Sequence, residues 1–202
     1  MKLRLEAARR SAFIWRTTQS PEHARRFDEQ IEIFIHDADL QGMAEEHEYA
    51  DAYRASFQEA FGHQQVRDGH YAIQTALGPQ IRMQLSQVMR SAYQEGDVEA
   101  AYRAGVAQEH LMLGRYYAER FLRTNAASDS DRAMSEFEIA RSELDGLFQQ
   151  LESPDRREQT ASILEELTAF ETAFGAAADA IFARNASLSE LDRIGPVMEE
   201  VA

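Results

Sequence analysis

The sequence predicts an all-α protein of six helices, ordered short, short, long and then short, short, long, forming two stacked four-helix bundles. Three observations carry this. Only 10 Gly and 4 Pro punctuate 202 residues, while Ala, Glu, Gln, Arg and Leu recur throughout, a composition of few and long helices. Apolar residues step by 3 and 4 along most of the chain, the spacing of a helical core stripe. The helix order also repeats, with an offset of about 108 residues between the copies.

A first helix is predicted from Leu3 to Thr18 and is broken at Gln19-Ser20-Pro21, where Ser20 suits an N-cap and Pro21 the first helical position. The second runs to Gln41 on a stripe of Ala24, Phe27, Ile31, Phe34 and Ala38. The third runs from Tyr49 to Gln94 with Tyr53, Phe57, Ile73, Leu77, Ile81 and Leu85 inward, and Glu95-Gly96-Asp97 ends it. Val98 to Thr124 forms the fourth, with Tyr102, Val106, Leu113, Tyr117 and Phe121 on its stripe. Asn125 to Asp129 supplies a polar break and a new cap. Ala133, Phe137, Ala140, Leu144, Leu147 and Leu151 mark the fifth, which stops at Glu152-Ser153-Pro154. The sixth is long, carrying Ile163, Leu167, Phe170, Phe174, Ile181, Leu188 and Leu191.

A helix of about 48 residues is ~70 Å long at ~1.5 Å per residue, enough to span two stacked bundles. The short helices then fill one half each: residues 1–18, 71–124 and 179–202 form a membrane-proximal module, and 21–70 and 128–178 a distal one. Both chain ends emerge at one pole. The first helix starts without a capping residue and is shorter than its copy, the fourth, and the last stops while its apolar spacing still runs. The chain therefore reads as a domain cut from a longer, membrane-anchored protein, with a transmembrane helix expected on each side. Neither a run of 18 apolar residues nor a signal-peptide layout occurs within it.

Three segments carry a family resemblance: Ala8-Arg9-Arg10-Ser11-Ala12-Phe13 followed by Ser20-Pro21, Leu77-Gly78-Pro79, and Leu191-Asp192-Arg193-Ile194-Gly195-Pro196. Together with the six-helix order they make the chain resemble the helical bimodular sensor domains of bacterial chemoreceptors and of some sensor histidine kinases. That resemblance covers essentially the whole chain. It implies an extracytoplasmic domain at the bacterial inner membrane, on the periplasmic side, that dimerises and binds a small organic acid. It also leaves a kinase sensor that engages a periplasmic binding protein.

An organic-acid site in a chain with 35 acidic and 21 basic residues, net charge -14, needs arginine turned inward, because a guanidinium gives two parallel hydrogen bonds to a carboxylate. Arg184 falls on the sixth helix's inner spacing, and Arg9, with Arg10 beside it, on that of the first. Counted from a junction near Thr18, His70, Thr124 and Ala178, Arg9 and Arg184 differ in height by ~4.5 Å. The expected pocket lies in the membrane-proximal module and is made by Arg9, Arg10 and Arg184, with Tyr117 as hydroxyl partner and Asn185 nearby. The alternative for each arginine is solvation or pairing with a neighbouring Glu.

The remaining classes are excluded or weak. A charge of -14 disfavours nucleic acid and anionic membrane surfaces. With no cysteine, disulfides, thiolate nucleophiles and Cys-based zinc sites drop out, and the compartment stays open. His63 and His70 share a helix face with no third ligand in register. No P-loop, nucleophile elbow or dinucleotide fingerprint is present, so neither catalysis nor a cofactor is expected. Met83, Met89 and Tyr93 beside the core stripe suggest a homodimer face. A soluble helical scaffold or adaptor is the alternative from a different class.

Overall fold

In the computed structural model, which describes residues 2–201, the expected order of helices is present. Met1 and Ala202, included in the expected modules, lie outside the described residues. The helices are α1 (Lys2–Thr18), α2 (Pro21–Gln41), α3 (Ala44–Gln94), α4 (Val98–Thr124), α5 (Ala127–Gln150) and α6 (Pro154–Val201). No strand occurs among the described residues.

The ends follow from local chemistry. Ser20 is the extended N-cap of α2 with Pro21 following it, and the Asp97 side chain accepts from the Ala100 N–H at 3.1 Å to cap α4. Gly42 closes α2 in the left-handed conformation, φ 67°, which glycine adopts without a Cβ penalty. The cap of α5 falls within the expected Asn125 to Asp129 break, but at a residue whose side chain makes no capping hydrogen bond. Ala126 holds that position, and Asp129 sits buried inside the first turn, accepting from Thr124 Oγ1 at 3.2 Å and pairing with Arg120 at 3.3 Å.

Two sharp reversals organise the chain. Gln19 takes a left-handed φ of 55° and its N–H returns to the Trp15 carbonyl at 2.6 Å, so α2 doubles back along α1 and Arg4 meets Asp37 at 3.5 Å. Asn125 does the same after α4, with φ 54° and a 2.7 Å bond to the Phe121 carbonyl. Arg103 then pairs with Glu143 at 3.2 Å and His110 with Glu136 at 2.6 Å, the antiparallel register of a helical hairpin.

The chain divides into two compact units, one up to Gln65 and from Ala180, the other from Val66 to Asp179. Membership differs from the modules expected from the sequence: α1 and α2 share the first unit, and α4 and α5 share the second. The physical reason is the pair of left-handed reversals, which turn each short pair into a hairpin instead of letting the second helix continue onward.

In the first unit the core is bundle-like and drawn from four helical segments: Leu5 and Trp15 of α1, Phe27, Ile31 and Phe34 of α2, Tyr53 and Phe57 of α3, and Leu188, Leu191, Ile194 and Met198 of α6. Trp15 meets Phe57 edge-on at 5.0 Å, and Phe27 stacks on Phe57 at 3.8 Å. Trp15 is core, while Phe13 is exposed.

In the second unit α4 turns a different face inward from the one expected. Ala100, Ala104, Ala107, Leu111, Gly114 and Ala118 are buried; of the expected stripe Phe121 is buried, whereas Tyr102 and Leu113 are exposed. Small residues let α5 approach closely, and at Gly114 an added Cβ would overlap the Phe137 ring. Among the described residues no helix is long and apolar enough to cross a membrane.

Candidate functional site

A groove lined by three arginines lies in the first unit, between α1 and the end of α6. Burial of Leu5, Ala8, Ala12 and Trp15 fixes the rotation of α1 and leaves Arg9 and Arg16, two turns apart, on one flank. Burial of Leu188, Leu191, Ile194 and Met198 likewise turns Asp192, Gly195 and Glu199 of α6 toward that flank. The two segments run antiparallel: Arg9 pairs with Glu199, and Arg16 Nη1 donates to both Asp192 oxygens at 3.0 and 2.9 Å.

Tyr53 of α3 lines the groove, only 5% exposed. Its hydroxyl accepts from Arg9, and burial raises its pKa above the ordinary 10.0, with Arg9 opposing the rise and Asp192 reinforcing it. Gly195 lies against the guanidinium, and a Cβ there would make ordinary van der Waals contact with Arg9 Nε and Nη2 at 3.5 Å and the Tyr53 ring at 3.6 Å. The resulting space is about 390 Å³, walled by Ala12, Phe13, Leu188 and Leu191. Arg10 lines it as well, is exposed, and has no ion-pair partner among the described residues.

Chemically the groove sets three arginines and three acids, Glu6, Asp192 and Glu199, beside an apolar wall. Three guanidiniums and a phenol hydroxyl can each donate, and the carboxylates already present occupy two of the guanidiniums. Arg9 is half-buried at 28% exposure and its partner Glu199 more open at 55%, so the cation is the fixed member of that pair.

Of the residues expected to form the site, Arg9 and Arg10 line this groove and the others do not. Arg184 is held elsewhere in the first unit, where Nη1 donates to the buried Gln64 Oε1 at 2.6 Å and Nη2 to Asn185 Oδ1 at 3.0 Å. Gln64 in turn donates to Gln19 Oε1 at 3.1 Å. Arg184 and Asn185 therefore fasten the α1–α2 reversal to α3 and α6. The register explains the separation: with Arg9 beside Glu199 and Arg16 beside Asp192, Arg184 lies about 15 residues from the Arg9 level, or ~22 Å along α6. Tyr117 belongs to the second unit, where Arg120 and Arg132 stand over its ring at 5.8 and 5.5 Å.

Sequence reasoning misses Arg16, Tyr53, Asp192 and Glu199. Arg16 is visible as the continuation of the Leu5, Arg9, Ala12 spacing, and Asp192 and Gly195 sit inside the Leu191-Asp192-Arg193-Ile194-Gly195-Pro196 segment. Among the described residues no group of three or more His, Asp or Glu is placed to hold a metal ion. No protein-family model and no curated protein matches the chain.

Proposed function

We propose that the chain is the extracytoplasmic ligand-sensing domain of a bacterial transmembrane chemoreceptor, binding a small organic acid in the α1–α6 groove of its first unit. One observation carries the reading. In a chain of net charge -14, Arg9, Arg10 and Arg16 converge beside the Tyr53 hydroxyl on a groove of about 390 Å³. A carboxylate would take two N–H donors from Arg9, with Arg10 at the rim and the apolar wall excluding water from its carbon skeleton. The ligand shifts the balance between packings of α6 on α1, and that shift is the signal. The inner-membrane, periplasmic setting and the homodimer follow from the resemblance to helical bimodular sensors, and exposed Met83 and Tyr93 offer an apolar face for a second copy. A kinase sensor that docks a periplasmic binding protein, and a ligand-free scaffold, are the alternatives.

Calorimetric titration with acetate, succinate and citrate tests this. Binding by the parent chain that drops at least about tenfold in Arg9→Ala is expected, since a charge-assisted pair of hydrogen bonds contributes ~1.5–3 kcal/mol. Binding that is indifferent to Arg9 would place the site elsewhere.

A further inference from the structure

The groove is closed by the protein's own carboxylates, and their geometry is that of a clasp. Glu199 and Asp192 sit on one flank of α6 two turns apart, as Arg9 and Arg16 do on α1, so both pairs form at once in antiparallel register. In both pairs the acid is the more exposed partner, 55% against 28% for Glu199 and Arg9, and 61% against 45% for Asp192 and Arg16. Between the two acids lies Pro196, which sits inside α6 and has no N–H to return to the Asp192 carbonyl, a weak point in the helix. Gly195 beside it is the residue against which the Arg9 guanidinium rests.

We propose that Glu199 is a tethered competitor for the anion groove: it holds the end of α6 onto Arg9, and a ligand carboxylate replaces it there and frees the segment beyond Pro196. This rests on reading the groove as an organic-acid site, and it adds how occupancy is converted into movement. Exchanging one carboxylate for another on the same guanidinium conserves the number of N–H to oxygen bonds. The cost is therefore only the loss of an exposed ion pair, which is small. Leu188, Leu191 and Ile194, all before Pro196, stay packed in the core and only Met198 lies on the freed segment, so release is confined to the last turn and does not unfold the unit.

Hydrogen exchange at residues 197–200, measured without ligand, and calorimetry with succinate, measured separately, test the two parts. Glu199→Gln keeps the shape of the side chain and removes its charge, and Glu200→Gln, one residue on and outside the groove, matches the change in net charge. Exchange at 197–200 is expected to accelerate roughly three- to fivefold in Glu199→Gln and not in Glu200→Gln, with succinate bound tighter by a similar factor. Unchanged exchange in Glu199→Gln overturns the clasp, as does an equal gain in Glu200→Gln, which would reduce the effect to overall charge. Faster exchange in Glu199→Gln with no succinate bound by either protein leaves the clasp standing and sinks the organic-acid reading instead.

Discussion

Tyr53 and Arg184 show how far a single side chain is decided by its surroundings. Tyr53 sits among core residues with its hydroxyl at the groove, and burial raises its pKa from 10.0. The neutral phenol is thus favoured in the folded state, so this contribution is complete below pH 10 and is lost as pH rises through the higher folded value. The parent's unfolding free energy, measured by urea titration across the alkaline range, should fall more steeply above pH 10 than that of Tyr53→Phe. Equal slopes would place the hydroxyl in water. Arg184 stands out in the sequence because it interrupts an apolar spacing, and Arg9 does so for the same reason. That signal marks an arginine held at a core edge and does not say what holds it: Arg9 meets the carboxylate Glu199, Arg184 the amides Gln64 and Asn185. Arg184→Ala is accordingly expected to cost about 1–3 kcal/mol of stability through loss of its hydrogen bonds to Gln64 and Asn185 while leaving succinate affinity within about twofold. A large loss of affinity without loss of stability would return Arg184 to the binding site.

At the level of helices, the breaks at Ser20-Pro21, Gly42, Gly96 and Ser153-Pro154 are legible because Pro, Gly and Ser have fixed meanings at helix ends. The direction in which the chain leaves those ends is not. Gln19 takes the left-handed conformation with no residue-type signal, and Asn125, which tolerates it, marks a helix end without giving the direction of the next helix, so helix lengths alone put α1 and α2 in different modules. The inner face of α4 departs from expectation for a related reason: periodicity favours large apolar residues, whereas a close α4–α5 contact selects Ala and Gly. Two substitutions test these contacts. Asn125→Gly is expected to raise stability by a few tenths to about 1 kcal/mol, because it removes the left-handed penalty and a buried side-chain oxygen that has no hydrogen-bond partner among the described residues. Gly114→Ala should lower it by about 1–3 kcal/mol despite the gain in helix propensity, since the new methyl meets the Phe137 ring inside the core. Thermal or urea unfolding reads both, and the reverse signs would contradict the hairpin geometry described.

For the molecule as a whole, the dominant electrostatic fact is the charge of -14. The ion pairs are mostly surface pairs worth ~0–1 kcal/mol each, and screening weakens them and the general self-repulsion together. With an excess of 14 negative charges the repulsion outweighs the pairs, so the melting temperature should rise as salt is raised to ~0.15 M; a fall would mean that the pairs dominate. Against that field, the cluster of Arg9, Arg10 and Arg16 is the place proposed to receive an anion. Everything proposed for this groove depends on that cluster, and not Arg184, receiving a carboxylate. The arginine Nε–H resonances, followed during titration with succinate, decide between them: those of Arg9 and Arg16 should shift and saturate while that of Arg184 stays in place. Saturating shifts at Arg184 with Arg9 and Arg16 unmoved would contradict the assignment, as would the absence of any shift across a panel of acetate, succinate and citrate.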